Sequence, residues 1–490
     1  MIWTTEQRYR RIEEASAEEL SELRAKVKGC KWRQTFHIQP ETGLLNDPNG
    51  FSYFNGEYHL FYQWFPLGPV HGLKYWYHTK SKNLVHWENV GIGIAPTNEY
   101  DSHGCYSGSA IEHEGKLYLL YTGNSRDRNW IRHSYQCLAI MDQTGKIEKR
   151  KEPVIHHIPN GYTNHFRDPK VWKEGKTFFT VIGAQRENKT GCVVLYSSND
   201  LINWKFEGEI KTNLGAFGYM WECPDYFELQ GYGVLIFSPQ GIEPYEDHYQ
   251  NLYQSGYIIG EKLDVERLSL SHAPFQEIDR GFDFYAPQTM VDGNGRRILI
   301  GWMGMPEIEY PTDKSGWAHC LTLPRELTIS DNKLIQKPVK ELELLRKQQY
   351  EIQDVIDQEK KMYNGFIGTT FEMICDFENF DAKEFGVEFR VGDCEKTIIK
   401  YDSIQKKVIL DRTFSGQPVA EEYGTVRKCF LDAAKVKFHL FVDTSSVEIF
   451  INDGEEVFTS RIFPQEDSKG IRFFAEGGKV LLHATKWDFE

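Results

Sequence analysis

Along most of the chain, apolar and aromatic residues come in strand-length runs divided by turn signals. From Trp32 to about residue 330, runs such as Tyr58–Tyr62, Leu117–Tyr121 and Thr177–Ile182 alternate with turn pairs such as Asn55-Gly56 and Glu114-Gly115. Upstream the period changes. Leu20, Leu23 and Val27 recur at helical spacing behind Ser16-Ala-Glu-Glu19, a capping-box pattern, so residues 5–28 are expected to be helical. Within the strand-rich stretch, Ser81–Trp87 and Ser198–Trp204 share S-x-[ND]-L-x-x-W at an offset of 117 residues. Two units across that offset would be about 58 residues each. Asp47, Ser107, Asp168, Glu222 and Tyr285 keep a similar step, of 60, 61, 54 and 63 residues. Five such units fill residues 32–330. Hairpins repeated radially at a long period leave few exposed sheet edges, so a five-bladed β-propeller is expected, with an array of β-sandwiches as the alternative.

Residues 334–350 read as a polar, partly helical connector, and the strand pattern returns from about residue 365. Phe385–Arg390 alternates, Lys437–Val442 leads through Asp443–Ser446 into Val447–Ile451, and Asn452-Asp-Gly454 supplies a hairpin turn. The expected organisation is all-β: an N-terminal helical extension at 1–31, a propeller carrying the chemistry at 32–333, a connector at 334–364 and a β-sandwich at 365–490. Composition narrows the partners. Lys and Arg total 57 against 71 Asp and Glu, a net charge of −14, which disfavours nucleic acid and anionic membrane surfaces. No apolar run approaches the roughly 18 residues of a membrane span, and the charged first ten residues lack a signal peptide's apolar centre. The 9 cysteines are odd in number, widely spaced and free of C-x-x-C pairs. They read as reduced thiols, and a cytoplasmic location is expected.

In a propeller the inner strands line a central channel, where corresponding positions of different blades meet. The repeat places three acids there: Asp47 in Asn46-Asp-Pro-Asn-Gly50, Asp168 in Arg167-Asp-Pro169 and Glu222 in Trp221-Glu-Cys-Pro-Asp225. Crowded carboxylates cannot all stay charged cheaply, so at least one is expected to hold its proton near neutrality. A protonated acid beside an ionised one can cleave a glycosidic bond, one protonating the leaving oxygen while the other attacks or activates water. Three such acids could instead bind Ca²⁺ or Mg²⁺, or be charged loops without function. Trp64, Trp76, Tyr106, Trp221, Tyr285 and Trp302 near these landmarks favour a sugar, whose C–H faces stack on rings, and Trp76, Tyr106 and Trp302 count among the expected substrate contacts. Trp87 and Trp204 read as blade-packing residues.

These residues carry a resemblance. Asn46–Gly50, Phe61-Tyr-Gln63, Tyr106–Ser109, Arg167–Pro169, Trp221–Asp225 and Asp283–Gln288, in that order, resemble the β-fructofuranosidases of glycoside hydrolase family 32. Val442–Phe450 and Thr459–Pro464 resemble that family's C-terminal sandwich, so the likeness spans nearly the whole chain. It implies a retaining double displacement, with Asp47 as nucleophile, Glu222 as general acid and then base, and Asp168 holding fructose hydroxyls and stabilising the transition state. It also implies fructose contacts from Asn46, Gln63, Ser107, Arg167 and Tyr285, with Trp302 on the pocket wall, and no metal or organic cofactor. Two departures stand out: Leu44-Leu45 where many relatives carry Trp-Met, and Tyr106 where Phe is frequent. The Trp3–Ile12 and Phe65–Gly72 segments are similar to the intracellular bacterial sucrose-6-phosphate hydrolases. A sugar or sugar phosphate is thus the expected partner, with Lys74, His71, Arg132 and His133 as candidate phosphate contacts. A hydrolase of short fructooligosaccharides and a non-catalytic sugar-binding propeller remain the alternatives.

Overall fold

The computed structural model describes residues 3–489; Met1, Ile2 and Glu490, which the expected extension and sandwich include, lie outside the described residues. Residues 43–338 form five successive sheets, blades I–V, as the sequence period implied. Their inner strands are Gly43–Phe54, Cys105–His113, Tyr162–Glu174, Met220–Leu229 and Tyr285–Val291. Trp317–Ala318, returning from an excursion of blade V, pairs in parallel with Gly43-Leu44 and so joins the last blade to the first. The repeated S-x-[ND]-L-x-x-W segments are the turns before the outer strands of blades I and III. In both turns the Asn83 or Asp200 side chain accepts two backbone N–H groups, and Leu84 or Leu201 takes φ +63°. The indole of Trp87 or Trp204 donates to that leucine's carbonyl, so these tryptophans fasten turns.

Every inner strand slips register with its neighbour at the same depth. The breaks fall between Leu45 and Pro48, Cys105 and Gly108, Arg167 and Lys170, Glu222 and Asp225, and Tyr285 and Gln288. An extra residue in one strand bends it and re-aims side chains. Pro48, Pro169, Pro224 and Pro287 sit in these breaks, where a missing N–H costs no ladder bond. Blade II has Gly108 instead, because any Cβ there would lie 2.0 Å from the Leu120 carbonyl oxygen. Asp168, Cys223 and Ala286 share positive φ at the break, at +69°, +49° and +47°. Counted from the proline or Gly108 that follows, the equivalents are Asp47, Ser107, Asp168, Cys223 and Ala286. Glu222 and Tyr285 stand one position earlier, beside Asn46, Tyr106 and Arg167, so the even step read from the sequence mixes two neighbouring positions.

Three boundaries differ from expectation. The N-terminal helix is interrupted: Thr5–Tyr9, capped by Thr4, is separated by extended residues and a short 3₁₀ turn from Ala17–Lys28, capped by Ser16. Lys333–Pro338 is the outer strand of blade V, and Gln349–Asp357 is already an edge strand of the sandwich, so much of the connector expected at 334–364 is strand. Polar residues masked both. Gln336 is buried, donating to the Ile278 carbonyl and accepting from Arg325, while Gln349–Asp357 alternates exposed and half-buried positions as a one-sided edge strand does. The sandwich itself packs two six-stranded sheets around Phe371, Phe385, Phe389, Phe438, Ile449 and Phe473. Among the described residues no helix is long and apolar enough to cross a membrane.

A buried ionic seam docks the sandwich on the propeller. Glu448 accepts from Arg325, His37 and the Leu323 N–H; Asp443 accepts from His37 and the N–H groups of Thr35 and Phe36. Arg325 also donates to Asp279, which Thr459 bonds twice. Burial pushes the His37 pKa down, but the two carboxylates override it and raise it to about 9. Removing one partner from such a seam leaves a charge buried and costs about 3–5 kcal/mol. His37→Gln should lower stability by that order. Because the folded-state value lies above the ordinary histidine value of about 6.5, the stabilisation is complete below that pH and is lost as pH rises through about 9. Chemical denaturation across that window should show a decline in wild type that is absent in His37→Gln.

Candidate active site

At one mouth of the propeller the side chains before and within the register breaks converge. Asn46, Tyr106, Arg167, Glu222 and Tyr285 from the earlier position, with Asp47 and Asp168 from the break itself, line a cavity of about 980 Å³. Gln63 and Trp302 come from the second strands of blades I and V and face the same space. Residues from five separate blades thus surround one volume of small-molecule size.

Each acid has its own set of donors. Asp47 accepts from Asn46 at 3.1 Å, from Gln63 at 3.1 Å and from the Ser107 hydroxyl. Asp168 accepts the Cys223 N–H at 3.0 Å, while its own N–H is held by Thr122. Glu222 takes two bonds from Arg167, at 2.6 and 2.9 Å, and further bonds from the Tyr285 hydroxyl at 2.7 Å and Gln240 at 3.0 Å. The Cys223 thiol lies between the two aspartates, 3.5 Å from Asp47 and 3.7 Å from Asp168. The acids are thus aimed at separate protein donors rather than at one shared cation position. Among the described residues no group of three or more His, Cys, Asp or Glu is arranged to hold a metal ion.

Electrostatics divides the acids. Burial raises the Asp168 pKa, Arg167 opposes it, and the nearby Glu222 and Asp47 charges bring it to about 7. Asp47 is also raised, by burial first, with its donors and Ser107 in particular working against the shift. Burial acts on Glu222 in the same direction but loses to Arg167 and Tyr285, which hold it below the ordinary carboxylate value. Asp168 is therefore the acid shifted furthest toward holding a proton near neutrality, while Arg167 and Tyr285 favour the ionised form of the glutamate that the resemblance makes an acid.

The structure separates the other expected contacts. Trp76 is a correction: it is fully buried between blades I and II, and its indole donates to the Tyr106 carbonyl, so it supports the wall without lining the cavity. Trp64 and Trp221 are likewise core residues, donating to the carbonyls of Thr42 and Phe217. Ser107 reaches the site through Asp47 and Gln63, facing a small void beneath the cavity. Of the basic candidates, His71, Lys74 and Arg132 line the cavity, whereas His133 is paired with Asp127 at 3.3 Å and lies off it. Gln240, Cys223 and Tyr253 join the site without having been anticipated. Aligning the prolines at 48, 169, 224 and 287 would have marked Cys223; nothing local marks Gln240, which reaches Glu222 only through the pairing of neighbouring strands.

Known proteins resemble this chain along its whole length. The family description "Glycosyl hydrolases family 32 N-terminal domain" matches residues 37–338, and the family 32 C-terminal description matches residues 341–488. Sucrose-6-phosphate hydrolase of Staphylococcus xylosus is 49% identical over 488 residues, covering 100% of this chain and 99% of that protein. The Bacillus subtilis protein of the same name is 43% identical over 93% of this chain and 94% of its own length. Among solved structures, sucrose-6-phosphate hydrolase from Lactobacillus gasseri superposes with a TM-score of 0.94 at 37% identity, covering 100% and 99% of the two chains. A family 32 β-fructofuranosidase from Bombyx mori follows at 0.83 and 34% identity, covering 98% and 99%.

The charge division is measurable without substrate. Infrared difference spectra should show carboxyls titrating near pH 7 in wild type, and Asp168→Asn should remove one such transition while leaving that of Asp313, which burial also raises to about 7. In Arg167→Gln, which removes the cation lowering both neighbours, the Asp168 transition should move upward and another, from Glu222, should join it. A wild-type spectrum with no carboxyl titrating above pH 5 would contradict the assignment.

Proposed function

Because the chain belongs to glycosyl hydrolase family 32, we propose that it is a retaining β-fructofuranosidase that releases fructose from sucrose 6-phosphate and from sucrose. One observation carries the residue roles: Asp47, Asp168 and Glu222, distant in sequence, line a single cavity with different hydrogen-bond sets and oppositely shifted acidities. The substrate class is supported by full-length likeness to proteins named sucrose-6-phosphate hydrolases.

In this reading the Asp47 carboxylate attacks the anomeric carbon of the fructofuranosyl unit, the bond to the glucose oxygen breaks, and Glu222 gives that oxygen a proton. Water then attacks the fructosyl ester, Glu222 takes back a proton, and Asp47 is freed. The bonds from Asn46, Gln63 and Ser107 steady the Asp47 anion and orient it. Asp168, beside Cys223, faces the sugar as a hydroxyl partner. Glu222 starts ionised against Arg167, so it becomes an acid when fructose hydroxyls draw Arg167 away and it takes up a proton from solvent as the substrate binds. Tyr285 stays on Glu222 through both steps and fixes its direction.

A neutral fructooligosaccharide would give the cations on the cavity wall nothing to pair with, and a binding propeller would not need two differently poised acids. We place the enzyme in the cytoplasm, on the ground that all nine cysteines are unpaired thiols. The test is a comparison of kcat/KM on sucrose 6-phosphate, sucrose and kestose. Sucrose 6-phosphate should rank first, and Asp47→Asn or Glu222→Gln should reduce kcat by about 10²–10⁴-fold or more. Preference for kestose would refute the substrate assignment, and full activity in either variant would refute the roles.

A further inference from the structure

The cavity wall carries charges of both signs. Glu307, Glu309, Asp313 and Lys314 come from the blade V excursion, and Arg8, Lys74 and Arg132 come from the N-terminal segment and blades I and II. Arg8 is already engaged, donating to the carbonyls of Trp3 and His71. Lys74 and Arg132 are not. Lys74 is 3% exposed, yet its Nζ makes no hydrogen bond, and the neighbouring His71 Nε2 and Trp302 Nε1 are also without partners. The Arg132 guanidinium lies 5.8 Å from the Tyr106 ring centroid and, among the described residues, has no carboxylate within ion-pair distance. A buried cation with no counter-charge is costly unless a ligand supplies one.

The two cations belong to one strip of wall. The Lys74 carbonyl accepts the Cys105 N–H, and a Cβ placed on Gly104 would lie 3.2 Å from the Lys74 backbone nitrogen and 2.9 Å from the Tyr106 ring, whose other neighbour is Arg132. Lys74 is close enough to Asp47, and Arg132 to Glu222, for each pair to feel the other's charge. The strip therefore runs from the nucleophile's side of the cavity to the leaving-group side. Burial holds Lys74 down at about 7, against the pull of Asp47, so it gains its full charge when an anion arrives. Lysine supplies a point charge and arginine a planar fork, a combination suited to a terminal phosphate.

We propose that Lys74 and Arg132 together hold the dianionic phosphate of the leaving sugar and so set the enzyme's preference for a phosphorylated substrate over the plain disaccharide. This rests on the fructofuranosidase reading above. The test is the ratio of kcat/KM on sucrose 6-phosphate to that on sucrose, in wild type, Lys74→Met, Arg132→Met and the double variant. The ratio cancels losses common to both sugars, and half-exposed Arg132 gives a variant that should fold even if Lys74→Met does not. Inhibition by glucose 6-phosphate against glucose provides an independent readout. Wild type should favour the phosphorylated sugar; each single variant should lower the ratio about tenfold or more, the double variant should bring it near unity, and inhibition by glucose 6-phosphate should weaken in parallel. A preference unchanged in Arg132→Met and in whichever Lys74 variant folds would overturn the proposal while leaving the fructofuranosidase reading standing. Equal use of both sugars by wild type would also overturn it alone, whereas no hydrolysis of either would overturn the reading and the proposal together.

Discussion

The site depends on one backbone constraint, the break in register that every inner strand makes at the same depth. In an unbroken strand, successive side chains point to opposite faces, and an acid and its neighbour could not both reach the channel. The extra residue at each break, fixed by proline in four blades and by Gly108 in the fifth, brings two consecutive side chains to the mouth. Seven of these positions line the cavity, while Ser107, Cys223 and Ala286 line a small void beneath it. Only some of these became reactive acids; Cys223 and Ala286 keep the backbone shape of Asp168 with smaller or less polar groups. The uncommon φ of Asp168, Cys223 and Ala286 is thus shared strain imposed by the blade geometry, and chemistry varies on top of it.

The sandwich has no acid in the cavity, yet it steadies one. Asp283 accepts from Arg412 and the Arg461 N–H of the sandwich and from Tyr310, on the cavity rim. Two residues further on, Tyr285 gives its hydroxyl to Glu222. The seam of Arg325, Glu448, His37 and Asp443 holds the same interface from the other side of blade V. A rigid second domain can thus set the direction of one carboxylate through a single short stretch of chain, which accounts for dense buried charge where an apolar interface would be cheaper to make.

Much of this was legible in the sequence, for identifiable reasons. The blade period showed because Trp87 and Trp204 close equivalent turns, and the acids showed because proline marks the breaks. What the sequence concealed was depth and direction. Trp76 has the composition of a sugar platform but packs inward, because its blade places it opposite Tyr121 in the core. Gln336 looks like linker and is a buried partner of Arg325. The choice among His71, Lys74, Arg132 and His133 needed three dimensions, since His133 is turned to Asp127 off the cavity while the Lys74 Nζ lines it without a hydrogen-bond partner. Glu222 and Cys223 are adjacent letters, and only the strand pairing shows which of them corresponds to Asp168.

Three acids coexist in a small volume because one is paired with arginine, one is shifted toward its protonated form, and one is bonded by amide and hydroxyl donors. The reaction requires that arrangement to be redistributed around a sugar, with Asp47 bonded to it. Rapid quenching of Glu222→Gln with β-fructosyl fluoride, whose leaving group departs without a proton from Glu222, followed by peptide mass spectrometry, tests this most directly. The account predicts a fructosyl ester on the peptide containing Asp47 and on no other carboxylate. An ester on Asp168, or fructose released with inverted configuration and no adduct, would contradict it.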